Sequence, residues 1–199
     1  MPKIIGVTGT IASGKSTVGN LLADLGVPVI DTDTLVHELL TEDTPARRAV
    51  ITRFGPAIVS DDASGAVDRA RLGKIVFADD RARKDLESIV HPAVITEYRR
   101  RVNDLLGHSV VAILVPLLFE AGVEGEFDEV WTVIANEEVL RSRLQSRDRL
   151  SDKEVDKRLT AQLPQSEKAS RSMRTIDNSG SVENTREQVQ LYLKLTRGN

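Results

Sequence analysis

The chain has 199 residues, 40% of them hydrophobic and 29% charged, and carries a formal net charge of −3. Those proportions fit one globular domain with room for small inserted subdomains, and nothing in them advertises a surface built for nucleic acid or anionic membrane. The sequence contains no cysteine, which removes disulfides, thiol catalysis and the usual structural zinc sites together.

The first predicted element is a short buried strand over Ile4, Ile5, Gly6 and Val7. Met1 stands almost against it, so no leader peptide is expected and a cytoplasmic location is. The strand runs into Gly9-x-x-x-x-Gly14-Lys15-Ser16, the phosphate-loop pattern, and Val18, Leu21 and Leu22 then open an apolar helical face. The physics of such a loop is electrostatic. Amides at a helix start have no partners within the helix, and the macrodipole places about half a positive charge there. Ala12, Ser13, Gly14, Lys15, Ser16 and Thr17 are therefore expected to cradle a nucleoside triphosphate, with Gly14 allowing close approach of a phosphate. Lys15 adds a mobile full charge, and the Ser16 hydroxyl is available to a magnesium ion.

Gly26 reads as a helix stop, and a second strand is expected over "VPVID", 27–31. In "VIDTDTL" (29–35), Asp31 and Asp33 fall on one side of an extended chain, beyond the carboxyl end of a parallel strand. One of them is expected to take a proton or hold a metal through water; the competing reading is that Asp31 or Thr32 caps the next helix. Residues 34–108 are too many for a simple crossover. Their amphipathic segments predict a helical subdomain that receives a second substrate, with Pro92 marking a kink or a helix start.

A third strand is expected over "VVAILV" (110–115). The surrounding apolar run, 110–119, is too short to span a bilayer and holds a proline. In "VPLLFEAG" (115–122), Leu117, Leu118 and Phe119 are expected either to face a ligand or to pack in the core. Glu120 is read as orienting an acceptor or neutralising an arginine. "EVWTVIA" (129–135) and "RTIDN" (174–178) complete the predicted strands, and the alternation argues for a parallel sheet with helices on both faces. Between them, Arg143 and Arg147 share one helical face, with Arg141 a little around from it. Beside a phosphate loop, such arginines are expected to serve a mobile lid that neutralises transferring phosphate. "SDKEV" reads as a new helix start capped by Ser151 or Asp152.

Taken in order, "GVTGTIASGKSTV", "LGVPVIDTD", "VDRARLGKIVFAD", "LESIVHP", "VPLLFE", "RLQSRD" and "IDNSGS" resemble the dephospho-CoA kinase family over nearly the whole chain. The resemblance implies a three-layer α/β/α fold of the P-loop NTPase type with a five-stranded parallel sheet. It divides the chain into a core (about 1–33, 109–140 and 170–199), a helical coenzyme-binding subdomain (about 34–108) and a lid (about 141–169). It implies ATP-dependent phosphorylation of the ribose 3′-hydroxyl of dephospho-CoA with Mg2+, and neither nucleic acid nor membrane as partner. Asp33 is then the general base, and Lys15, Arg141 and Arg147 are charge stabilisers. Thr8 lies near the acceptor, and Arg71 and His91 fall in acceptor-side segments.

The chain departs from the family pattern at Thr10 and Ala12, where glycines are usual, at Leu140, where glutamine is, and at Ser172-Met173, where alanine-aspartate is. Ala12 is expected to keep φ below zero. Two rival readings use the same residues: another small-acceptor kinase of the nucleoside, nucleotide or gluconate type, and a GTPase-like switch. For the switch, "DASG" (62–65) fits Asp-x-x-Gly, but no Asn-Lys-x-Asp motif accompanies it.

Overall fold

A computed structural model describes residues 1–62 and 64–198. Ala63, within the Asp62–Gly65 motif, lies outside the described residues; Asp62 Oδ1 accepts the Ser64 amide at 3.0 Å. The chain forms two compact units, Thr32–Asp104 and the remainder, Met1–Asp31 with the chain from Leu105 onward.

The larger unit holds five parallel strands, β1 (Lys3–Gly9), β2 (Val29–Asp31), β3 (Val110–Leu114), β4 (Glu129–Ile134) and β5 (Arg174–Asp177), in the order β2-β3-β1-β4-β5. β1 lies at the centre, with Ile5 level with Ala112 on one side and Glu129 on the other. β3 is buried at every position, as expected of a strand covered on both faces. Gly26 adopts φ 76° just past α1 (Lys15–Asp24) and stops that helix.

Trp131 of β4 is fully buried among Ile5, Val7, Leu22 and Val189, and meets Tyr192 edge-on at 5.9 Å. Its indole N–H donates to Glu129 at 3.0 Å, and that buried carboxylate also accepts the Thr196 hydroxyl at 2.9 Å. A buried carboxylate is costly unless such partners surround it.

The Thr32–Asp104 unit is helical: α2 (Thr32–Thr41), α3 (Pro45–Phe54), α4 (Arg69–Ala78) and α5 (Asp80–Asn103). Thr44, Asp68 and Asp79 cap the last three through their side-chain oxygens. Val90, Val94, Tyr98 and Val102, four residues apart, make the buried stripe of α5. Pro92 sits near the middle of that helix, not at a start. It is tolerated because Ser88, whose carbonyl loses its donor, lies on the exposed face where water can replace it.

On the same helix, Glu97 accepts from Arg100 at 2.8 Å and Arg101 at 2.8 Å, and Arg101 reaches on to Glu38 of α2. The hydrogen bonds from Arg100 and then Arg101 lower the Glu97 pKa to about 2. Because the folded value lies below the unfolded one, this stabilisation is complete above the unfolded pKa of about 4.5 and disappears as pH falls through about 2. A Glu97→Gln variant is therefore expected to be less stable than the parent above about pH 5, with the gap closing between about pH 4.5 and 2, in urea titrations across that range.

Candidate active site

The phosphate loop leaves β1 at Gly9 and enters α1 at Lys15. Two side chains hold its carbonyl groups from behind. Asn178 Nδ2 donates to Ser13 O at 2.7 Å, and Arg143 Nη1 donates to Ala12 O and Ser13 O at 3.2 Å each. Arg143 also bonds Asn178 O at 2.9 Å, while the Thr185 hydroxyl fixes the Asn178 amide by donating to Oδ1 at 3.0 Å. On the other flank, Gln162 Oε1 accepts the Ile11 amide at 2.8 Å.

Gly14 has φ 97°, and a Cβ there would lie 1.9 Å from Asn178 Nδ2, so no other residue permits this clamp. Gly14 also offers no capping side chain to α1, so the first-turn amides of Lys15, Ser16 and Thr17 are left for an anion. Lys15 is half-buried and Ser16 exposed.

Ala12 reverses the expectation of negative φ: it sits at φ 65°, in the left-handed region. For a residue with a Cβ that conformation costs roughly 1–2 kcal/mol, and bonds on both sides of Ala12 hold it there. Thr10 is 6% exposed, and its hydroxyl has no hydrogen-bond partner within the described residues.

The three arginines of α6 (Glu137–Asp148) have separate fates. Arg141 is held by Glu137 at 3.0 Å and by Asp156 of α7 (Asp152–Thr160). Both partners raise its pKa, the Asp156 hydrogen bond most, and neutralise its charge. Arg143 touches the loop. Arg147 grips its chain neighbour Asp148 through two bonds, at 2.8 and 3.0 Å, with its side chain 60% exposed. Ser151 begins α7 as expected, with Glu154 accepting its amide at 2.9 Å.

The segment after β3 is a series of turns, not a strand edge. Thr8 is buried, and its hydroxyl donates to Pro116 O at 3.3 Å. Leu117 is 43% exposed, whereas Phe119 is buried with the Arg171 guanidinium 4.6 Å from its ring centre; the ligand-facing reading of Phe119 gives way to core packing. Glu120 pairs with Lys168 of α8 (Gln165–Ser170) at 2.7 Å and accepts the Leu163 amide at 3.0 Å, so its carboxylate serves a buried cation of the fold.

In the helical unit, Asp33 is exposed in the first turn of α2 and His91 is exposed on α5. Arg71 of α4 bonds Val59 O at 3.0 Å and pairs with Asp61 and Asp68, tying down its own loop. Sequence reasoning passed over three residues of the loop's support. Arg143 was read as one of the lid arginines, sharing a face with Arg147, and Asn178 as the end of the strand "RTIDN" and part of "IDNSGS". Gln162 had no local signal, since its partner lies 151 positions away.

A glycine loop between the central strand and its helix, in a parallel sheet of this order, defines a phosphate-loop nucleotide-binding fold. The fold is shared with shikimate kinase from Acinetobacter baumannii at 16% identity and a TM-score of 0.56, covering 100% of this chain and 95% of that one. Closer likeness fixes the family: the dephospho-CoA kinase family model matches residues 3–184. Dephospho-CoA kinase from Symbiobacterium thermophilum is 46% identical over 190 residues, 94% of this chain and 79% of that one. Dephospho-CoA kinase from Campylobacter jejuni superimposes with a TM-score of 0.73 at 27% identity, covering 100% of both chains. The chain belongs to the dephospho-CoA kinase family, whose activity is the final step of coenzyme A biosynthesis.

Ala12→Gly removes the left-handed penalty, and glycine's extra freedom in the unfolded chain returns part of it. The variant is expected to be more stable than the parent by about 0.5–1 kcal/mol in urea denaturation without nucleotide.

Proposed function

We propose that this chain transfers the terminal phosphoryl group of ATP to the ribose 3′-hydroxyl of dephospho-CoA, with Asp33 as the general base. The observation that supports it most is the α1 start, which has no capping side chain and whose preceding loop has its carbonyls drawn away by Arg143 and Asn178. Amides presented this way, with Lys15 among them, suit the β- and γ-phosphates of a nucleotide, where catalysis is chiefly positioning and charge stabilisation.

Among the described residues no group of three or more histidines, cysteines or carboxylates could hold a metal. The exposed Ser16 hydroxyl in the first turn of α1 fits magnesium, which keeps several waters and takes few protein ligands beside phosphates. The exposed Ser16 hydroxyl would be the protein ligand, and the ion would supply charge neutralisation at the phosphates.

Asp33 carries an exposed carboxylate within two residues of the end of β2, and a carboxylate that takes the acceptor's proton is the recurring kinase solution. We assign the positive charge at the phosphates to Lys15 together with Arg141 and Arg147 of α6; each arginine is ion-paired here, Arg141 with Glu137 and Asp156 and Arg147 with Asp148. Thr8 and Leu117 remain as acceptor-side contacts, with Arg71 and His91 contributed by the helical unit. Membership of the family supports a cytoplasmic setting.

Incubating the protein with ATP, magnesium and dephospho-CoA, beside nucleoside monophosphates and gluconate as rival acceptors, tests the reading by mass spectrometry. A product one phosphoryl group heavier from dephospho-CoA is expected; transfer only to a rival acceptor would overturn it. Asp33→Asn is expected to lower kcat by about 10²–10⁴-fold while ATP affinity, read by calorimetry, stays the same. Unchanged kcat would remove Asp33 from the role.

A further inference from the structure

Gln162 lies in the short connection between α7 and α8, yet its side chain ends on the phosphate loop, where Oε1 accepts the Ile11 amide at 2.8 Å. The connection is fastened on both sides of it. Leu163 donates its amide to Glu120 at 3.0 Å, and Glu120 is ion-paired at 2.7 Å with Lys168, whose side chain is fully buried. Two residues further on, the Gln165 amide pairs with both backbone groups of Ala135, at 2.9 Å each, just past the end of β4. The side-chain Oε1 of Gln162 is thus delivered to the loop by a frame anchored at the turns after β3 and β4.

The residue following Ile11 is Ala12, at φ 65°. The amide before it is held by Gln162 and its own carbonyl by Arg143, so the one unfavourable backbone conformation in the loop is bracketed by bonds from outside. A loop with a glycine at that position would need no such holding.

We propose that Gln162 is a positioning residue for phosphoryl transfer: by fixing the Ile11 amide it keeps the empty loop, with its left-handed Ala12, in the shape that receives the nucleotide. Gln162 acts through the loop backbone and not on the reacting atoms. The inference rests on the nucleotide-binding reading of the loop. It goes beyond that reading by assigning the segment after α7 to the loop's preorganisation.

The test is hydrogen exchange of the Ile11 amide by NMR, run beside steady-state kinetics on the full chain. In Gln162→Leu the Ile11 amide is expected to exchange about tenfold faster, and the KM for ATP to rise about fivefold with a smaller change in kcat, as loss of one hydrogen bond implies. Adding Ala12→Gly to that variant is expected to bring the KM back toward the parent value, since glycine adopts the loop conformation unaided. Gln162→Glu keeps an acceptor at the same reach and is expected to restore the protection of Ile11. If Gln162→Leu does not fold, Gln162→Asn, one methylene too short, carries the same expectations. Unchanged Ile11 exchange in the variant overturns the proposal, as does faster exchange with an unchanged KM. Calorimetry separates the two layers: failure of the parent protein to bind ATP overturns the nucleotide reading itself.

Discussion

The chemistry of the phosphate loop depends on which way one peptide group faces. In a planar trans peptide the carbonyl and the following amide point in opposite directions. Asn178 and Arg143 draw the Ser13 carbonyl to the rear, which turns the Gly14 amide toward the open side beside the unpaired amides of the α1 start. Gly14 meets two demands at once. Its missing side chain makes room for the Asn178 amide, and it leaves the helix start without a cap that would compete with phosphate. The loop inherits a fixed origin because β1 is hydrogen-bonded along both edges, to β3 and to β4.

Buried charge in this unit is spent on architecture. Lys168 and Glu120 join α8 to the turns after β3, and Glu129 joins β4 to α9 (Val182–Arg197) through Trp131 and Thr196. A buried charge such as Lys168 or Glu129 adds little net stability over a well-packed apolar side chain, but removing its partner is costly. Their value here is geometric: they fix where connections begin and end. The Leu163 amide, bonded to Glu120, is one such fixed point, and the adjacent Gln162 reaches the phosphate loop from it.

Most of the fold was legible in the sequence because its signals are local. The predicted strands match β1 to β5 to within a residue or two at each end, since continuous apolar runs bounded by turns leave little choice. Ser151 with Glu154, and Gly26 after α1, announced a helix start and stop for the same reason. Pro92 left a kink and a helix start open; the second is excluded because the Val90, Val94 and Tyr98 stripe continues α5 through it. At the site, the loop itself was readable, but its support was not. Arg143, Asn178 and Gln162 act across more than a hundred positions, and nothing in a neighbouring residue marks them. Phe119 and Glu120 were ambiguous for a related cause: a strand's end looks the same in sequence whether its side chains meet a ligand or another helix. The conformation of Ala12 was misjudged because the local cost of φ 65° is outweighed by bonds from residues distant in sequence.

Trp131 is the chain's single tryptophan, fully buried in β4 with Tyr192 beside it. Intrinsic emission from the indole therefore reports on the sheet unit alone. The helical unit contains Tyr98 and no tryptophan, so its loosening leaves that signal dark. Comparing indole emission with far-ultraviolet circular dichroism, which sees every helix, would distinguish a molecule that melts in one step from one that comes apart unit by unit.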